Sequence, residues 1–182
     1  MMFSFLKSIF SSKKNVHGQV SILYAQLVAA ARQKSFYENN GVPDSPEGRY
    51  SMMVIHIFLL IRYLRLKKAY EISQQIFDLF FADMDQSLRE MGVGDVSVGK
   101  KIRNMATVFY NRSAAYDKAL DSQNTQKLAI LLEEHFYQIK PEKPSKNMVK
   151  IAKYMFTKDR LLVSCPLHRL FCEELFNFRE EE

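Results

Sequence analysis

Near the C-terminal end, Cys165, His168 and Cys172 are separated by three and four residues. On one continuous helix, two thiolates and an imidazole at that spacing would share a face and could approach a metal. The set is one ligand short of a closed zinc site, and Pro166 falls within it, so no metal or haem contact is expected; a free Cys ordinarily packs as a small hydrophobe. Asp78, Asp83, Asp85, Glu90 and Asp95 form an acid-rich stretch. Asp83 and Asp85 are two apart and point to different sides of a helix, whereas Asp85 stands four before Arg89, the spacing of an ion pair worth roughly 0.3 kcal/mol. The stretch reads as a salt-bridged surface rather than a catalytic pair. His56 sits inside the apolar run Met52 to Ile61 and reads as a neutral, hydrogen-bonded core imidazole. The chain has no phosphate-binding Gly-Lys-Ser loop, dinucleotide fingerprint, metalloprotease histidine pair or serine elbow. No catalytic residue or cofactor is assigned.

The strongest chemical signal is charge. Basic side chains exceed acidic ones by 26 to 20, a net +6. Between positions 140 and 160, Lys140, Lys143, Lys146, Lys150, Lys153, Lys158 and Arg160 face only Glu142 and Asp159, so most of the surplus lies there. Lys146, Lys150 and Lys153 step by four and three, forming a stripe opposite Met148, Val149, Ala152, Met155 and Phe156. Each lysine near anionic lipid contributes about 1 kcal/mol, and the same stripe would neutralise RNA phosphates. DNA reading is not expected, because no nucleic-acid-binding motif accompanies the lysines.

The elements that carry these residues are helices. Six Gly and five Pro are too few for the turns of a sandwich or barrel, and the 47% apolar and 25% charged composition excludes disorder. An all-α, single-domain bundle of about six to eight helices is expected. Residues 1–15 form a separate amphipathic segment: Met2, Phe3, Phe5, Leu6, Ile9 and Phe10 share one arc, and Lys13 and Lys14 follow. Phe3, Phe5, Leu6, Ile9 and Phe10 are the expected membrane contacts. A signal peptide fits poorly, since the positive charge follows the apolar stretch.

Further helices are predicted over 16–38, with a stop at Asn40-Gly41, and over 46–68, capped by Asp44 or Ser45 and apolar nearly all round. Others follow over 69–91, directed inward by Phe77, Phe80, Phe81, Met84, Leu88 and Met91, and from a cap at Asp95 or Ser97 to about Leu120, through Val98, Ile102, Met105, Val108, Phe109 and Tyr116. The last three are predicted over 124–139, 145–162 and 166–179. The longest apolar run is far short of the roughly 20 residues that span a bilayer, so no transmembrane helix is predicted. Two cysteines with no secretory signal point to a reducing compartment.

Several segments together resemble the ubiquinol-cytochrome c chaperone family. These are Leu23-Tyr24, Ala31-Arg32, Phe36-Tyr37, GVPDSPEGRY at 41–50, the central segment with His56, FADMDQSLREMGVGDVSVGKKI at 81–102 and FYNRSAAYDKAL at 109–120. The most specific part runs from Asp83 to Asp95. One departure is Asn111, where the family usually has Gly before the arginine matched by Arg112; Asn also tolerates positive φ. The resemblance implies an all-α, non-enzymatic assembly factor for the respiratory cytochrome bc1 complex, with residues 16–182 as the chaperone domain. Its implied client is newly made cytochrome b or a bc1 assembly intermediate, alongside a small helical partner protein. The implied location is the cytoplasmic face of the inner membrane in a bacterial member, or the matrix side in a mitochondrial one. Asp44, Arg49, Asp85, Arg89, Asp95 and Arg112 are the matched polar positions, expected to hold helix junctions or touch client. The alternative is a ribosome- or RNA-associated adaptor working through Lys146, Lys150 and Lys153.

Overall fold

The computed structural model describes residues 18–171 of the chain. Its elements are α1 (18–31), α2 (Lys34–Glu38), α3 (Pro46–Leu66), α4 (Tyr70–Glu90), α5 (Asp95–Asp121), α6 (Thr125–Tyr137), α7 (Lys146–Ser164) and a short 3₁₀ turn, Leu167–Arg169. The fold is all-α. At its centre is α3, in which every residue from Met52 to Leu60 is buried, His56 included. Around it pack α4, α5, α6 and α7, with α1 adding Val20, Leu23, Leu27, Ala30 and Ala31 to the same core. A helix apolar all round must be enclosed on all sides, and that requirement organises the bundle.

The start of α3 follows the sequence closely. Ser45 accepts from the Gly48 amide at 3.1 Å and Pro46 occupies the first turn. Gly48 lies directly under the Pro43 carbonyl, so a methyl there would collide with backbone. Asp44 does not cap; it accepts from Arg49 Nε at 2.7 Å.

The predicted helix over 16–38 is broken. The backbone of Gln33 is extended (φ −60°, ψ 129°), which turns Phe36 fully into the core, and the Tyr37 hydroxyl donates to the Ala31 carbonyl at 2.7 Å. Burial of one aromatic ring outweighs a turn of helix whose only other support is propensity.

Three helix ends share one bond pattern. At α3, Lys68 N donates to Arg65 O and Ala69 N to Leu64 O; at α4, Gly92 N to Arg89 O and Val93 N to Leu88 O; at α5, Gln123 N to Leu120 O and Asn124 N to Ala119 O. These are Schellman caps. Gly92 suits the required left-handed backbone (φ 81°), but Lys68 (φ 57°) and Gln123 (φ 51°) adopt it with side chains, at a cost of about 1 kcal/mol each. That is why no breaker marks the α3–α4 boundary.

Further differences concern exposure and ends. Met91 and Val108, predicted to face inward, are 59% and 38% exposed. Asp95 opens α5 as its first residue after Gly94 and makes no side-chain cap. α7 ends at Ser164 and Cys165 is extended (ψ 129°), so the helix predicted from Pro166 has not begun by Leu170; only the 3₁₀ turn is present there. Among the described residues no helix is long and apolar enough to cross a membrane.

Candidate functional site

The sequence-matched polar residues are all engaged within the chain. Arg49 and Asp44 clip the entry to α3 across the surface, and the guanidinium holds the Asp44 carboxyl below its ordinary range. Arg89 bridges the α4–α5 turn, donating to Asp85 at 2.6 Å and also to Asp95. Arg112 reaches from α5 to two other helices, donating to Ser51 Oγ at 2.9 Å and to the His135 carbonyl at 3.1 Å. Six residues are thus divided among three helix junctions rather than brought into one site. Of the remaining acids, Asp83 accepts from Tyr24 at 2.7 Å, Asp78 from Gln74 and Glu90 from Gln86. The acid-rich stretch is therefore only partly ionic.

Beside Arg112 lies a groove of about 430 Å³ bordered by Val108, Asn111, His135 and Gln138. Tyr116, fully buried, shares a hydrogen bond between its hydroxyl and His135 Nδ1 at 2.8 Å. Burial first, and the Arg112 charge second, lower the His135 pKa to about 4. A neutral imidazole results. Asn111 is exposed in the interior of α5 with negative φ. The glycine usual in the family at this position is therefore not demanded by backbone conformation, contrary to the expectation from positive φ.

His56 is fully buried. Its Nδ1 donates to the Met52 carbonyl at 2.8 Å and its Nε2 accepts from the Tyr154 hydroxyl at 2.7 Å. Desolvation depresses its pKa to about 4. This satisfied neutral ring is the core imidazole predicted, joining α3 to α7.

Two groups escaped the sequence reading. Arg62 donates to Asp117 at 2.6 Å, Asp121 at 2.7 Å and Asp159 at 3.0 Å, and Arg65 shares Asp117 at 2.8 Å. The Arg62 and Asp159 side chains are each only 11% exposed. Burial alone would lower the Arg62 pKa, but its three carboxylates reverse the direction and raise it. The signal was available: Arg62 closes an apolar run, and Asp117 and Asp121 lie one turn apart. The second group is Glu133, buried, whose Oε2 accepts from the Ser145 amide at 2.7 Å and anchors the start of α7.

On α7, Lys146, Lys150, Lys153 and Arg160 are exposed, while Met148, Ile151, Ala152 and Met155 are buried. None of the three stripe lysines makes an ion pair with another described residue. Lys158, counted with the basic run in the sequence, is turned inward over the Tyr154 ring at 5.6 Å and is 7% exposed. Lys140 pairs with Glu134 at 3.4 Å. The outward charge is therefore narrower than the sequence suggests.

Cys165 is buried and His168 lies in the 3₁₀ turn, so they do not share a helical face. Among the described residues no group of three His, Cys, Asp or Glu side chains could hold a metal. Phe3, Phe5, Leu6, Ile9, Phe10 and Cys172 lie outside the described residues.

The same architecture is found in the crystal structure of the Cbp3 homolog from Brucella abortus. The similarity has a TM-score of 0.80 and 33% sequence identity, covering 94% of this chain and 93% of that one. A search among curated proteins found no match. Residues 38–175 match the family described as ubiquinol-cytochrome C chaperone. With more than half its length matched and the fold shared over 94% of the chain, this chain is a member of the ubiquinol-cytochrome C chaperone family.

Proposed function

We propose that the protein is a non-enzymatic assembly factor that holds newly made cytochrome b, or a bc1 assembly intermediate, at the cytoplasmic face of the inner membrane. The observation that carries this reading is family membership over residues 38–175. A rigid helical body with an exposed cationic face on α7 is consistent with it: lysines at a helix start that has no acid in its first turn add to the positive end of the helix dipole. Asp44, Arg49, Asp85, Arg89 and Asp95 are offered to client as exposed, internally paired clips, and Arg112 through the groove beside it. A small helical partner and the segment 1–15 as a membrane contact complete the proposal. Deleting the gene should deplete cytochrome b and the bc1 complex under respiratory growth; normal levels of both would reject it.

A second reading rests on the same exposed lysines. If they bind ribosomal RNA, Lys146→Glu, Lys150→Glu and Lys153→Glu together should abolish ribosome co-sedimentation in a salt-sensitive manner. Unchanged sedimentation removes that reading.

A further inference from the structure

The α5–α6 turn and α7 enclose a cleft of about 210 Å³ lined by Gln123, Thr125, Lys153, Phe156, Thr157 and Arg160. Lys153, Phe156, Thr157 and Arg160 follow helical spacing and so share one face of α7. Phe156, 7% exposed, makes an apolar floor. The walls carry two permanent cations and two hydroxyls, and none of the lining residues is acidic.

Two features hold the cleft in this state. The first is Gln123, whose left-handed backbone (φ 51°) closes the turn. Its Nε2 donates to the Leu120 carbonyl at 3.1 Å while its Oε1 accepts from Arg160 Nη2 at 3.2 Å. That bond tethers the guanidinium at the cleft and uses one of its five N–H donors. The second is the Arg62 cluster. Asp117, Asp121 and Asp159, the carboxylates on the neighbouring turns of α5 and α7, are all bound to Arg62. Neither Lys153 nor Arg160 has an ion-pair partner among the described residues.

We propose that this cleft binds a phosphate group, supplied by the headgroup of an anionic phospholipid. The proposal rests on the reading of the α7 face as membrane-directed and assigns that face a specific subsite. An ammonium, a guanidinium and hydroxyls around an acid-free pocket suit a tetrahedral oxyanion, which accepts from all of them. Lipid is favoured over RNA by the surroundings. Directly after Arg160, α7 exposes Leu161 and Val163, and at the end of α3 Leu66 is 53% exposed next to Lys67, whose Nζ donates to the Val163 carbonyl at 3.1 Å. Apolar side chains next to cations suit an interface of headgroups and acyl chains, whereas the buried Phe156 offers no ring face on which a base could stack.

The test compares two full-length double variants of equal charge, Lys153→Gln with Arg160→Gln and Lys146→Gln with Lys150→Gln, for sedimentation with phosphatidylglycerol vesicles and with neutral phosphatidylcholine vesicles. Circular dichroism confirms folding of each. The cleft pair should lose at least tenfold more affinity for the anionic vesicles than the stripe pair, and Thr157→Val, which changes no charge, should lose several-fold. Inorganic phosphate should shift the Thr125 and Thr157 amide resonances of the wild type but not of the cleft pair. Equal losses in both pairs with no effect of Thr157→Val would overturn the cleft while leaving the cationic face as a diffuse membrane contact. Failure of the wild type to bind anionic vesicles would overturn both. Phosphate-induced shifts without any loss on vesicles would overturn the lipid source in favour of a soluble phosphate compound. Loss confined to ribosome co-sedimentation would overturn it in favour of RNA.

Discussion

The two faces of α7 carry similar side chains and use them in opposite ways. Inward, Asp159 closes a three-helix cluster on Arg62, Tyr154 donates to His56, and Lys158 lies over the Tyr154 ring. Outward, Lys146, Lys150 and Lys153 meet no carboxylate of the described chain. The difference is solvation. A charge taken out of water must be paired or it destabilises the fold by several kcal/mol, whereas a solvated lysine costs little and keeps its attraction for anions. The inner face is therefore committed to stability and the outer face is available to bind.

The largest expected effect lies on the inner face. Arg62→Met should leave Asp159 buried without a counter-charge and Asp117 with Arg65 alone, and destabilise the protein by about 3 kcal/mol, read as a fall in the urea midpoint. A loss below about 1 kcal/mol would show that the cluster behaves like surface ion pairs and blur the contrast between the faces.

Acid should act next. His56 is held neutral to about pH 4 by burial, while an unfolded histidine protonates near pH 6.5. Its folded pKa is depressed, so its contribution is complete above about pH 6.5 and is lost as pH falls toward 4, because the unfolded chain then binds the extra proton. The loss is on the order of 3 kcal/mol from this one residue. His135 titrates in the same direction. Denaturation midpoints measured between pH 7 and pH 4.5 should fall steadily in the wild type and less steeply in His56→Gln.

At the start of α7, Glu133→Gln should cost about 1 to 2 kcal/mol, since a charge-assisted bond to the Ser145 amide becomes a neutral one. Smallest of all, Lys146→Gln with Lys150→Gln should change thermal stability by less than about 0.5 kcal/mol. A larger change would show that the outer face also serves the fold.

Much of this molecule is legible in the sequence. Composition, the shortage of breakers and periodic apolar positions establish an all-helical protein, and the uniformly apolar run around His56 identifies the central helix, because such a segment has no face to give to water. Ser45-Pro46 marks the start of α3 and Asp85–Arg89 a surface pair of α4, since both depend on neighbours a few residues away. The end of α3, closed by left-handed Lys68, was not legible: a lysine carries no sign of left-handed backbone, and its cap is made by main-chain bonds. Nor was the break at Gln33, which exists to bury Phe36.

What the residues alone determined is the class of fold, the family likeness and which stretch holds the surplus charge. Only tertiary structure decided which of those charges are usable. It turned Lys158 and Asp159 inward, spent Asp117 and Asp121 on Arg62, and left Lys153 and Arg160 beside an acid-free cleft. The reason is distance: charges far apart along the chain pair only after folding brings their helices together, and pairing, not residue type, sets what remains for a partner.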